Sequence, residues 1–382
     1  MGIDIRAIQW FRDWNALNST KGRQSLRELQ ASIPGCNYIF FDAMDVSQAG
    51  DHHSIICNAS TNTATVNTAQ MSADFEGAIA YAHSLGYKVL VRMRGPDWTI
   101  FSNPVLFLQN YATAVKQWAV WLEARHVEVF GIAAEAEYIE YNAYTPQWQN
   151  IIAQVRSVYS GQIYYDANYW WCITDQYAAN GSNSIGETAH LAETWLNDLD
   201  FLSISAYPAL TNKTTHPASP NAPTIDELVA GWHSWQIPTD MHNADIPAHW
   251  ELYGNQFSKN ILYHCGLSSF WGATNEPWAS RASLQCLNEQ NNWIEALFRV
   301  FNTRARTKGY AFDGTWCSEP KADIAASTGT YWEGFNNWAF MVQGKPAEAV
   351  IANYFGAASP LRKWGFKHWQ DGDLNLTKTV IL

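Results

Sequence analysis

The chain has 382 residues, 47% of them hydrophobic and only 15% charged, against about 25% charged in an average soluble domain, so global disorder is excluded. That length exceeds a single sandwich or small α/β unit and suits one large barrel or two domains. With 24 Lys and Arg against 35 Asp and Glu, the net charge is −11, the wrong sign for gripping a phosphate backbone, and no nucleic acid partner is expected.

The first candidate strand is Ile5–Trp10, followed by a helix opened by Ser25-Leu26-Arg27-Glu28, a Ser-x-x-Glu capping box. The second strand, Tyr38–Asp45, runs into a polar stretch, residues 51–68, expected to be a long loop. A helix over 72–85 stopping at Gly86, a strand over 88–95 and a long helix over 103–125 follow. The fourth strand, 127–137, leads to a helix over 145–159 with a Thr-Pro start, and the fifth strand is 162–171. Then come a helix over 186–199, the sixth strand over 200–210, a second polar loop over 211–223 and a helix over 224–235. The seventh strand, 260–270, a helix over 283–304, the eighth strand, 309–317, and a helix over 345–355 close the series. Eight strand-then-helix units predict an α/β fold, a single (β/α)8 TIM barrel over residues 1–382 with long loops over its C-terminal mouth.

The aromatic content is high, with 20 Trp, 18 Tyr and 17 Phe. Most of these are expected in the core. Others stand beside polar turn residues, among them Trp98, Trp171, Trp271, Trp278 and Trp316. An aromatic face beside carboxylates and amides suits a sugar, whose C–H face packs on the ring while its hydroxyls find polar partners.

The fourth strand ends in Glu135, Ala136 and Glu137. Strand alternation turns both carboxyls to one side at the catalytic end of a barrel, where burial would raise a pKa as a general acid requires; a pair of solvated loop carboxylates is the plain alternative. Asp42 and Asp45, Arg92, Arg94 and Asp97, Asn168 and Tyr207 fall at or after neighbouring strand ends. Arg94 with Asp97 equally reads as an ion pair fixing a loop. Trp10 and Trp316 end the first and eighth strands.

The six cysteines show no C-x-x-C spacing, which argues against a zinc ribbon. Asp51-His52-His53 is the densest ligand cluster, but adjacent histidines point apart, and Rossmann, Walker and Gly-x-Ser-x-Gly signatures are missing. No metal or cofactor is expected. No window approaches about 18 consecutive apolar residues, so no membrane partner is expected. The start lacks the pattern of a secretory leader. The location is read as extracellular where a leader has been removed, and otherwise as cytoplasmic or virion-associated.

Several segments together resemble glycoside hydrolase family 113, a family of β-mannanase-like barrels in the retaining (β/α)8 clan. They are Val129 to Glu135, the helix Trp148 to Gly161 with its Arg-x-Val-Tyr-x-Gly ending, Tyr165-Asp166-Ala167-Asn168, Ala206-Tyr207, Gly272-Ala273 with Pro277-Trp278, and Gly344-Lys345-Pro346-Ala347. The resemblance spans most of the chain. It implies Glu135 as general acid/base, Trp316 as a platform under the reactive sugar, and an oligo- or polysaccharide substrate, of mannan type, with β-linkages. Retention needs a second carboxylate about 5 to 5.5 Å from the first. At that place on the seventh strand the sequence has His264, and Ala134 replaces the Asn that many clan members carry.

Three readings of His264 follow. Glu276 could supply the carboxylate instead; Glu135 could work with Asp42, Glu137 or Glu319, including by inversion across about 6.5 to 9.5 Å; or the barrel is catalytically degenerate. In the last case it serves as a carbohydrate-binding or structural module, as in a phage or gene-transfer-agent tail.

Overall fold

The computed structural model describes residues 3–11, 13–43, 54–93, 96, 99–136, 138–169, 193–212, 222–234, 245–277, 286–326 and 340–356. Eight parallel strands close on one another: β1 (Ile5–Phe11), β2 (Tyr38–Asp42), β5 (Lys88–Arg92), β6 (Val129–Ala134), β7 (Gln162–Asn168), β8 (Leu202–Ser205), β9 (Ile261–Cys265) and β10 (Thr307–Cys317). Around the barrel the order is β1-β10-β9-β8-β7-β6-β5-β2. All eight correspond to expected strands, and most end a few residues earlier than the apolar runs suggested, because chain that turns over the mouth leaves the ladder while remaining apolar.

Two cores result from strand alternation. Inside the barrel Ile5, Ala7, Phe40, Leu90, Val129, Tyr164, Leu262 and Ala311 form one buried cluster. Outward residues such as Ile8, Trp10, Ile39, Val91, Ile163, Tyr263 and Phe312 join the helices in the larger one. Eight tryptophans are among the largest fully buried side chains, so burial accounts for much of the Trp content. Trp148 shows how: its ring stacks on Trp195 at 4.8 Å between centroids, and its indole N–H donates to the Ile139 carbonyl at 2.7 Å. Gly131 faces the barrel interior on β6, where a Cβ would come within 2.7 Å of the Tyr164 ring.

The helices also correspond, with informative shifts. Helix α1 (Trp14–Asn18) is short, and α2 (Thr20–Ser32) begins at Ser19, whose hydroxyl accepts from Gly22 N. The expected capping box at Ser25 is therefore corrected. Ser25 lies inside α2, buried, and its hydroxyl donates to the Cys317 carbonyl at 2.6 Å. Helix α3 (Ala73–Ser84) is capped by Ser72 and followed by Gly86 at φ +84°, the left-handed stop expected there. Helices α4 (Pro104–Glu123), capped by Asn103, and α5 (Thr145–Arg156) follow.

The helix Ile225–His233 has a complete capping box from Thr224 and Glu227. Helices Leu287–Phe301 and Pro346–Gly356 fall where expected, and the helix Ile246–Gln256 was not anticipated. The expected helix over 186–199 lies mostly outside the described residues, with a 3-10 turn at Thr194–Asp198. The polar stretch 51–68 is not simply a loop: it holds an antiparallel hairpin, β3 (Ile55–Asn58) with β4 (Thr63–Val66). Its buried Ile55 and Val66 face each other in register, a pairing too short for periodicity to reveal. Cys265 and Cys317 are not joined by a disulfide.

Candidate active site

The C-terminal end of the barrel is organised around one cation. Arg92, the last residue of β5, is 1% exposed. Its Nε donates to Asp42 Oδ1 at 2.7 Å and its Nη2 to Asp42 Oδ2 at 3.0 Å, a forked pair with the end of β2. Nη1 donates to Asp166 Oδ2 on β7 at 2.5 Å, and Nη2 reaches Asp313 Oδ1 on β10 at 3.4 Å. Taking a guanidinium out of water is costly unless its donors are met, and three carboxyl groups from three strands meet them. They outweigh the burial that would lower its pKa, so Arg92 is held even more firmly charged than usual.

Further polar groups from neighbouring strands complete this floor. Ser203 and Ser205 on β8 donate to the two Asp166 oxygens at 2.7 and 3.0 Å. Gln9 on β1 donates to Asp42 Oδ2 at 3.4 Å and accepts from Gly314 N. Asp313 accepts from the Tyr207 hydroxyl at 2.5 Å. His264, facing inward from β9 and fully buried, shares a 2.9 Å hydrogen bond between its Nε2 and the Tyr164 hydroxyl. Its Nδ1 stands 3.6 Å from Asp313 Oδ1, an electrostatic approach longer than a hydrogen bond. The His264 ring also lies 4.8 Å edge-on from Phe40.

The electrostatics single out Asp313. Burial alone would raise its carboxyl, but the Arg92 guanidinium, His264 and the Tyr207 hydroxyl outweigh it and hold Asp313 well below the usual carboxylate range. Tyr207 moves the opposite way: burial and the Asp313 charge push its phenol well up, so it stays a donor.

Glu135 follows directly after β6. The strand ends at Ala134, and Glu135 adopts φ +46° while its N–H donates to the Asp166 carbonyl at 2.8 Å. The fourth strand thus ends before the expected Glu137, and the chain leaves the extended conformation at Glu135; Glu137 itself lies outside the described residues. A non-glycine residue in the left-handed region is costly and persists where its surroundings hold it, often at functional sites. The chain beyond is pinned as well: Ala136 N donates to the Tyr165 hydroxyl, which itself donates to buried Glu140.

Of the residues expected at the site, Asp42, Arg92, Asn168, Tyr207 and His264 all lie at the C-terminal end of the strands, with Asn168 3% exposed at the end of β7. Trp10 and Trp316 are corrected. Both are fully exposed to neither solvent nor mouth; they are 0% exposed in the outer core, and the Trp316 indole N–H donates to the Ser25 backbone carbonyl at 3.0 Å. Outward register on β1 and β10 sends both rings toward the helices. Glu319 lies 4.0 Å from Lys21 on α2, and Glu276 sits in a turn closed by its N–H on the Gly272 carbonyl. Arg94, Asp97, Trp98, Glu137, Trp171 and Asp45, with the His52-His53 cluster, lie outside the described residues. Among the described residues, no group of three or more His, Cys, Asp or Glu is arranged to hold a metal ion.

Sequence reasoning passed over Gln9, Tyr164, Asp166, Ser203, Ser205 and Asp313. Their signal was parity: each stands two residues from another inward position on its own strand, as Asp313 does from Ala311 and Asp166 from Tyr164.

The family model of Glycoside Hydrolase Family 113 matches residues 8–337. No curated protein sequence matches the chain. Among solved structures, the family 113 β-mannanase of Alicyclobacillus acidocaldarius, in complex with ManMIm, superposes with a TM-score of 0.63 at 18% identity, covering 93% of this chain and 98% of that one. A complex of a family 113 β-1,4-mannanase gives 0.59 at 17%, covering 94% and 100%. A Ruminococcus gnavus β-glucuronidase gives 0.51 at 11%, covering 93% of this chain and 49% of that longer one. At these identities the superpositions establish the barrel fold.

Proposed function

Because the chain belongs to glycoside hydrolase family 113, we propose that it hydrolyses a β-linked polysaccharide of the mannan type, with Glu135 as the proton donor. The observation that carries this reading is the setting of Glu135. It is a carboxyl at the catalytic end of β6, held in a left-handed conformation and tied through its backbone to Asp166 in the polar floor. In the reaction the Glu135 carboxyl protonates the glycosidic oxygen as the bond to the anomeric carbon breaks, then takes a proton from the water that completes hydrolysis. Asn168, Tyr207 and Asp42 supply hydrogen bonds to sugar hydroxyls along the rim; Arg94, Trp98 and Trp171 are proposed as further sugar contacts and Glu137 as a further catalytic carboxyl. His264, buried beneath the floor, acts through its neighbours. Two carboxyl groups and water suffice for this chemistry, so the reaction as written calls for no cofactor.

The test is release of reducing ends from β-mannan and glucomannan by the purified protein. Turnover is expected, and Glu135→Gln should lower it by roughly 10²- to 10⁴-fold without shifting the thermal midpoint downward. Unchanged turnover in that variant would remove Glu135 from the role. A second reading rests on His264, which the resemblance aligns with the family's nucleophile: a barrel that binds sugar and does not cleave it. Saturable heat on titration with mannohexaose and no product from any β-glycan would favour it.

A further inference from the structure

The polar floor contains three described carboxyl groups around Arg92, and they are not equivalent. Asp166 is fully enclosed, its side chain 0% exposed and its oxygens engaged by Arg92, Ser203 and Ser205. Asp42 is 6% exposed and forked onto Arg92. Asp313 is the most open of the three at 15%, and Arg92 touches it only at 3.4 Å. Its other partners, the Tyr207 hydroxyl and the His264 ring, approach from β8 and β9. The strand order puts β10 four places from β6 in either direction. Asp313 therefore lies on the strand opposite β6, the strand that leads into Glu135.

We infer that Asp313 is the second catalytic carboxylate, the nucleophile that receives the sugar, displaced from the seventh barrel strand, where His264 now stands, to the eighth. The inference rests on the hydrolase reading above. An Asp313 oxygen attacks the anomeric carbon, forming a carbon–oxygen ester bond, while the bond to the leaving oxygen breaks and that oxygen takes the Glu135 proton. Water then attacks the same carbon, gives its proton to Glu135, and releases the Asp313 carboxylate with retention of configuration. Arg92 and Tyr207 donate to this carboxylate and, with the charge of Arg92 and the nearby imidazole, hold it well below the usual carboxylate range, which suits a nucleophile and makes it a weak general base. Tyr207 is a positioning residue through its 2.5 Å hydrogen bond to Asp313, and His264 stands beside the same carboxyl at 3.6 Å.

Two measurements test this. Wild-type protein is incubated with 2,4-dinitrophenyl 2-deoxy-2-fluoro-β-mannobioside and its peptides are mapped by mass; the added glycosyl mass is expected on the segment Thr307–Cys317, at Asp313. Separately, Asp313→Ala should lose roughly 10⁴-fold in kcat or more, the scale of a missing nucleophile. Azide should restore cleavage of 2,4-dinitrophenyl β-mannobioside, with an α-glycosyl azide as product. Wild-type turnover with the label on another residue, or with inverted product, overturns the role of Asp313 and leaves the hydrolase standing. A wild-type protein with neither turnover nor label overturns both.

Discussion

Arg92 illustrates how much of the barrel mouth depends on one side chain. Its guanidinium gathers carboxyl groups from β2, β7 and β10 at a depth where water reaches none of its donors freely. Removing one partner from a buried charge network leaves the others uncompensated, at a cost of about 3 to 5 kcal/mol. Arg92→Met is therefore expected to lower unfolding free energy on that scale in urea titrations near neutral pH. A change below about 1 kcal/mol would mean that the carboxyl groups find other donors. Residue identity was legible here, since Arg92, Asp42 and Asn168 were expected at strand ends. The roles of Asp166 and Asp313 were not, because each interrupts an apolar strand and its meaning depends on which strands lie opposite.

At the scale of elements, helix α2 separates two kinds of serine. Ser19 accepts from Gly22 N and caps the helix, so Ser19→Ala should cost about 1 kcal/mol, within the range for lost N-caps. Ser25 sits one turn and a half further on and binds β10 through the Cys317 carbonyl and the Trp316 indole. Ser25→Ala strands buried polar groups and should cost about 1 to 3 kcal/mol, as measured by denaturant midpoints at constant slope. If Ser19→Ala proved the costlier change, the pin between α2 and β10 would matter less than its burial implies. A Ser-x-x-Glu motif is local, and the tertiary partner of its serine is 292 residues away. The β3–β4 hairpin carries the same lesson: the Asn62 side chain accepts from Asn103 N at 2.8 Å, tying the hairpin to the start of α4 through a contact that no local pattern announces.

Across the whole molecule, closure depends on residues far apart in sequence, and two of them make stability depend on pH. Asp313 has a folded pKa below its unfolded value, so its contribution is complete above the ordinary carboxyl range and is lost as pH falls through that range toward the folded value. Lys345 is 6% exposed and donates to Ser269 Oγ at 2.9 Å, joining the chain before the last helix to the segment after β9. Burial pulls its pKa down to about 7. The unfolded chain then binds more protons than the folded one between about pH 7 and the ordinary lysine value, so this group penalises folding increasingly as pH falls through that window. Lys345→Met should raise the thermal midpoint at pH 7, with the gain shrinking toward pH 9.5. A gain independent of pH would show that packing, and not protonation, limits this site.

The sequence by itself determined the barrel: eight apolar runs with helix-period segments between them admit few other arrangements, because parallel strands must be joined by crossovers, and eight such units close the sheet with helices outside and side chains filling the interior. It also marked Asp42, Arg92 and Asn168 as polar residues at strand ends, where the structure has them. Only the tertiary structure decided which aromatic rings serve the core, sending Trp10 and Trp316 outward to the helices, and which carboxyl groups share one cation. Parity along a strand is local, but what faces an inward residue is set by the closing of the barrel, when β10 returns to β1 and brings Asp313 to Arg92, 221 residues away.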